Sequence, residues 1–123
     1  NRVVICSGKI YYDLLARRDE AKAQDVAILR LEQFYPFPAK LLEAELKKYP
    51  HAEVIWCQEE PENMGAWHFL DRRIEAVLAK SKNKNSRPTY VGRKEAASTA
   101  TGLLSRHKIE QDLIVNTALG LNK

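Results

Sequence analysis

The sequence predicts an α/β fold, a mostly parallel sheet of four to five strands with helices on both faces. Short apolar runs rich in β-branched residues alternate with longer segments in which apolar residues recur at helical spacing. The chain has 123 residues, 45% of them hydrophobic, which suffices for one domain with its own core. Such alternation is typical of parallel sheets, because parallel neighbours are joined by helical crossovers.

The first strand and helix are predicted at the start of the chain. Residues 2–7 form an apolar run that Gly8 ends, as in a buried strand. Residues 9–22 then change period, and Ile10 and Leu14 lie one helical turn apart on the same face. The pattern indicates a helix that returns across the sheet.

Prolines delimit the second strand and helix. The second strand is predicted over residues 26–32 and the second helix over residues 39–49. Pro36 and Pro38 restrict the residues before them to extended conformations, so the helix begins only after them. Pro50 ends it.

A third pair follows, with a strand over residues 53–58, a loop over residues 59–65 and a helix over residues 66–80. Four apolar residues of this helix share the face expected of a core-facing stripe. They are Leu70, Ile74, Val77 and Leu78.

In the last part of the chain the sequence predicts a basic linker over residues 80–87 and a short strand over residues 89–92. A loop over residues 94–102 and one or two helices over residues 103–119 follow.

The net charge of +4 raises the question of whether the chain binds nucleic acid. Because no aromatic or helix-turn-helix signal accompanies the basic linker, we expect no nucleic-acid partner. No apolar run approaches the roughly 20 residues of a membrane span, so we expect no membrane partner.

Two cysteines, Cys6 and Cys57, lie in apolar strand-like runs. Buried cysteine behaves as a small hydrophobic residue. We therefore predict two free, buried thiols, with a disulfide as the minor alternative.

The turn after the first strand, with Ser7 and Lys9, is a candidate anion or effector site, to which we add Arg93 from the fourth strand. A glycine and a helix start after a strand can hold a phosphate. The turn lacks the spaced glycines of the known phosphate-binding fingerprints, so an ordinary tight turn is the favoured interpretation.

The loop after the third strand is the candidate interface. Its contributors are Glu59, Glu60, Asn63, Gly65 and Trp67. Adjacent carboxylates on a loop point apart, which disfavours an acid/base pair of the glycosidase kind. Tryptophan is a common interface anchor and carboxylates pair with arginines of a neighbour, so contact with another domain or subunit is favoured.

Nothing in the sequence indicates a catalytic residue, a cofactor site or a metal site in this chain. The three histidines have neither the spacing nor the cysteine neighbours of a zinc site. No serine lies in the Gly-x-Ser-x-Gly turn of the α/β-hydrolases.

Four segments, residues 4–14, 31–38, 56–67 and 90–93, carry a resemblance to a known family. In order along the chain they read VICSGKIYYDL, LEQFYPFP, WCQEEPENMGAW and YVGR. The sequence resembles the C-terminal, transketolase-like domain of the decarboxylating subunit of 2-oxoglutarate dehydrogenase. The resemblance covers the chain from residue 2 to about residue 119.

The resemblance implies that residues 1–123 form a single C-terminal domain, with the fold of a transketolase C-terminal domain, in a larger multidomain enzyme. The implied parent uses thiamine diphosphate and magnesium to decarboxylate 2-oxoglutarate in the tricarboxylic acid cycle and to succinylate a lipoyl group. That family holds the cofactor through a Gly-Asp-Gly motif in another domain, and no Gly-Asp pair occurs here. We expect this chain alone to bind no cofactor and to be inactive.

The resemblance also implies partners, namely other domains of the parent chain, a homodimer partner and the lipoyl succinyltransferase component. The implied location is a bacterial cytoplasm or the mitochondrial matrix. One alternative function is a stand-alone module that binds a nucleotide or acyl-coenzyme A effector. A plain dehydrogenase, a multifunctional decarboxylase and the related 2-oxoadipate enzyme all remain open as the parent.

Overall fold

A computed structural model describes residues 1–93 and 104–121. Within these ranges strands and helices alternate. The elements are β1 (Arg2–Cys6), α1 (Ile10–Ala21), β2 (Val26–Arg30), α2 (Ala39–Leu46), β3 (Glu53–Pro61), α3 (Trp67–Ser81), β4 (Thr89–Arg93) and α4 (Leu104–Leu119). The loop expected over residues 94–102 lies outside the described residues.

The four strands form one parallel sheet in the order β2-β1-β3-β4. The predicted fold class is therefore confirmed. Among the described helices, none is both long and apolar enough to cross a membrane.

The two central strands direct side chains into separate cores on the two faces of the sheet. Val3 and Ile5 pack with residues of α2 and α3, whereas Val4 and Cys6 pack with residues of α1 and α4. All four side chains are fully buried. A parallel strand covered on both faces needs an unbroken apolar run, which is the pattern that residues 2–7 show.

Two element ends differ from the sequence prediction by three residues, and the other described ends that differ do so by one or two. β3 continues to Pro61, three residues beyond the predicted end, because it pairs with β4 as well as with β1 and reaches the register pair Pro61 and Arg93 across an irregularity. α2 ends at Leu46 instead of residue 49. A tighter turn follows it, in which the amide of Lys48 donates to Glu45 and that of Tyr49 donates to Leu46.

The basic segment over residues 80–87 is tied to the domain instead of forming a solvated linker. The side-chain amide of Asn85 donates to the carbonyl of Ala52 at 2.8 Å. The Arg87 guanidinium lies 2.6 Å from the Asp71 carboxylate and 3.2 Å from that of Glu75. The ion pairs offset part of the basic charge that made this segment a candidate for anionic partners.

Cys6 and Cys57 are direct neighbours on β1 and β3, and both are free and fully buried, which confirms the prediction for them. Burial raises the pKa of the Cys6 thiol to about 12, with a smaller contribution from Glu32. Burial also raises the pKa of Cys57 far above its usual range.

We expect both thiols to resist alkylation in the native protein. With a pKa of about 12, the reactive thiolate of Cys6 amounts to about one molecule in ten thousand at pH 8. The measurement is mass-spectrometric counting of labelled cysteines after native and denatured incubation with iodoacetamide. Rapid labelling of either cysteine under native conditions would contradict the buried placement.

Candidate functional site at the carboxyl edge of the sheet

The site lies where the carboxyl ends of the strands meet, which we call the carboxyl edge. In the sheet order β2-β1-β3-β4, the chain leaves β1 toward β2 on one side and leaves β3 toward β4 on the other side. Such a reversal opens a crevice between the loops, and ligands of parallel sheets bind there. A cavity of about 440 Å³ occupies this position. Its apolar part includes Phe34, Tyr35 and Phe69, and its charged residues are Glu59 and Glu60. We call it the carboxyl-edge cavity.

The buried side chain of Gln58 organises the loop between β3 and α3. Its Oε1 accepts hydrogen bonds from the Trp56 indole at 2.8 Å and from the Trp67 amide at 3.2 Å. Its Nε2 lies 2.8 to 3.0 Å from three loop carbonyls, those of Glu60, Pro61 and Met64. Because a buried amide must be satisfied, this network specifies one loop path.

Gly65 closes the loop over the Gln58 amide. Its φ of +70° lies in the region that favours glycine. A Cβ at this position would also approach the Gln58 amide to 3.1 Å. Glycine therefore permits both the turn and the close approach.

Trp67 is a core residue, and this corrects its assignment as an exposed interface anchor. Its side chain is 7% exposed and packs 5.4 Å from the ring of Tyr90, centroid to centroid. As the first residue of α3 it extends the apolar stripe of that helix by one turn, since Leu70 and Ile74 follow at i+3 and i+7.

The other predicted interface residues reach the surface to different degrees. Glu60, Asn63 and Gly65 are exposed, and Glu59 is half-buried. One carboxylate oxygen of Glu59 accepts a hydrogen bond from the Gln111 side-chain amide at 2.9 Å. The exposed part of the predicted interface thus centres on Glu60.

Arg93 is committed to contacts within the domain and is not a free anion ligand. Its guanidinium lies 3.0 Å from the Glu110 carboxylate, and it also donates to the Glu59 carbonyl and to the Gln111 side chain. The hydroxyl of Tyr90 donates to the Arg93 carbonyl at 2.7 Å. Burial, with Glu62 nearby, raises the pKa of Tyr90 to about 12, which keeps this donor protonated.

The turn at Ser7 does bind an anion, but the anion is the chain's own Glu32 carboxylate. The Gly8 amide donates to Glu32 at 3.1 Å and the Ser7 hydroxyl at 3.3 Å. Hydrogen bonds from Arg30, then from Gly8, lower the pKa of Glu32. The side chain of Lys9 is exposed, and none of the hydrogen bonds that hold the Glu32 carboxylate comes from it. An external phosphate would have to displace a built-in carboxylate.

Sequence reasoning missed Gln58, Glu32 and Tyr35. Glutamine in an apolar run was a signal, because a polar residue there must find partners. Glu32 meets the Ser7 turn only through the pairing of β1 with β2. Tyr35 is 87% exposed beside the cavity, while the neighbouring Phe34 packs edge-on against Trp56.

No group of three or more His, Cys, Asp or Glu residues within residues 1–93 and 104–121 is arranged to hold a metal ion. The described part of the carboxyl edge offers an apolar cavity, the carboxylates of Glu59 and Glu60, and a backbone held by Gln58. These groups suit the binding of a partner that carries apolar and cationic groups.

Comparison with known proteins decides the family. The family described as 2-oxoglutarate dehydrogenase C-terminal matches residues 1–119. The chain belongs to this family.

Curated relatives agree with the family assignment. Proteins named 2-oxoglutarate dehydrogenase E1 component from Brucella anthropi, Brucella ovis and Brucella canis are each 54% identical over 119 residues. The match covers 97% of this chain and 12% of each relative. The 2-oxoglutarate dehydrogenase C-terminal family thus accounts for nearly all of this chain, while the chain spans about an eighth of the relatives' length.

Replacement of Gln58 by leucine should destabilise the domain by about 3 kcal/mol or more, because several buried groups lose their partner at about 1–3 kcal/mol each. Chemical denaturation followed by circular dichroism measures the loss. Gln33→Leu is the matched control, since Gln33 is exposed and makes one long hydrogen bond of 3.4 Å. Equal stability of the two variants would contradict the organising role of Gln58.

Trp67→Ala should lower the free energy of unfolding by about 3–5 kcal/mol, as large-to-small core substitutions do. The neighbouring His68 is exposed, so His68→Ala should change stability by less than about 0.5 kcal/mol. Thermal unfolding of both variants gives the comparison. If Trp67→Ala were as stable as wild type, the assignment of Trp67 to the core would be wrong.

Proposed function

We propose that this chain is the C-terminal assembly domain of a 2-oxoglutarate dehydrogenase E1 component. The parent would decarboxylate 2-oxoglutarate and pass the succinyl group to the lipoyl group of the succinyltransferase component. The match to the C-terminal family over residues 1–119 and the names of the relatives support this proposal. The coverage of 12% means that most of the parent's length lies outside this chain.

The proposed parent would use thiamine diphosphate and magnesium, bound by its other domains. The residues described here do not fit that cofactor, because they offer no metal-ligand cluster. The sequence also has no Gly-Asp pair. This domain would therefore contribute packing and contacts to the parent.

One observation carries the assembly role. Tyr35, at 87% the most exposed of the large hydrophobic residues whose side chains the structure describes, stands at the rim of a cavity at the carboxyl edge. An exposed aromatic side chain beside an apolar cavity is a typical protein-contact arrangement. The contact would be with another domain of the parent or with its homodimer partner.

The alternative of an effector module has less support. The Ser7 turn already holds Glu32, and Arg93 is paired with Glu110. Both would have to exchange partners before a nucleotide or acyl-coenzyme A could bind there. The relatives named above are bacterial, which favours the bacterial cytoplasm as the location over the mitochondrial matrix.

Tyr35→Ser in the full-length parent tests the assembly role. We expect the dissociation constant of the contact, or the hydrogen-exchange rate of the loop that it covers, to rise about tenfold or more, because truncation of an interface anchor has effects of this size. The readouts are the dimer dissociation constant by sedimentation, and hydrogen exchange of residues 59–66 for a contact within one subunit.

Tyr49→Ser provides the control, because Tyr49 is a half-exposed tyrosine on the opposite edge of the sheet. Tyr35→Ser should unfold at the wild-type temperature, because the side chain that it truncates is 87% exposed. If Tyr35→Ser changes neither the dissociation constant nor the exchange, the carboxyl edge is not an interface.

A further inference from the structure

The carboxyl-edge cavity has a charge opposite to that of the chain. The formal net charge of the chain is +4, yet the charged residues that line the cavity are Glu59 and Glu60, and no lysine or arginine of the described residues lines it. Such a site attracts cations and repels phosphates and carboxylates.

Glu60 supplies an exposed carboxylate on a backbone that the domain holds in place. Its backbone is held, because its carbonyl accepts a hydrogen bond from the Gln58 side-chain amide at 3.0 Å. The side chain is exposed, and within the described residues its carboxylate makes no hydrogen bond or ion pair. Because the backbone is already ordered, mainly the freedom of the Glu60 side chain is lost when a cationic donor binds.

The other side of the cavity is aromatic. Phe34 and Phe69 lie 6.4 Å apart between ring centroids, and Tyr35 projects beside them. The guanidinium of Arg73 stacks 3.8 Å above the Phe69 ring but does not line the cavity. Aromatic walls suit an apolar side chain or the aliphatic stem of arginine or lysine.

The helix start at the cavity does not reverse this charge preference. Helix amino ends attract anions through their free amides. At α3 the Trp67 amide is already donated to Gln58 Oε1. One of the amides at the start of α3 is thus already occupied within the domain.

We propose that the carboxyl-edge cavity receives a segment of the parent polypeptide outside residues 1–123, one that places an arginine or lysine next to an apolar side chain. The cation pairs with Glu60 and the apolar side chain packs against Tyr35 and Phe34. This inference rests on the proposed function and adds the chemistry of the partner.

A segment of the parent polypeptide outside residues 1–123 is the occupant that best fits the cavity. A two-fold contact between two copies of this cavity would place one acidic cavity against another, which like charges disfavour. The relatives extend over a length of which this chain covers 12%, so the parent has ample polypeptide to supply the segment.

The test uses Glu60→Arg and Glu60→Gln in the full-length parent, with Glu45→Arg on α2 as the control of equal charge change. We expect Glu60→Arg to weaken the contact about tenfold or more by the readouts used for Tyr35, and Glu60→Gln to weaken it less. Glu45→Arg should leave it unchanged. An unchanged or tighter contact in Glu60→Arg overturns the inference.

A photo-cross-linking amino acid in place of Tyr35 identifies the occupant. The expected cross-linked peptide comes from the parent outside residues 1–123 and holds an arginine or lysine beside an apolar residue. A cross-link to an acidic segment, to another copy of this domain or to the lipoyl component, or no cross-link at all, overturns the inference. Weakening by Tyr35→Ser without weakening by Glu60→Arg rejects only the cationic partner, whereas no effect of either rejects the interface itself.

Discussion

The carboxyl edge depends on how the buried amide of Gln58 is satisfied. One side chain joins the end of β3 to the start of α3, since it accepts from the Trp56 indole and the Trp67 amide and donates to the carbonyls of the loop between them. A buried amide without these partners would be costly, so alternative loop paths are excluded. The loop between β3 and α3 thus has a defined path before any partner arrives.

A loop with one defined path suits the assembly surface proposed above. The network leaves Glu60 exposed on a fixed backbone, while Trp67 and Tyr90 pack beneath it in the core. Binding to a surface that is already ordered loses less conformational entropy than binding to a mobile loop. In the assembly role proposed above, the core residues would hold the loop and the rim residues would make the contact.

The fold was predictable because apolar runs and helical periodicity are local properties. The site was less so. Trp67 was assigned to the surface although its spacing to Leu70 and Ile74 placed it on the core stripe of α3. Ser7 and Arg93 looked available because their partners, Glu32 and Glu110, come near them only through the pairing of strands and the packing of α4. Which aromatic residue of the loop over residues 33–38 faces outward is likewise set by tertiary packing.

Hydroxyl-radical footprinting of the assembled full-length parent tests the central claim, that the carboxyl edge is covered in the assembly. In this structure Tyr35 is 87% exposed and Tyr12 is 57% exposed, so the domain by itself should be oxidised faster at Tyr35. The account predicts the reverse order in the assembly, with Tyr35 oxidised more slowly than Tyr12. Faster oxidation of Tyr35 in the assembled protein would contradict it.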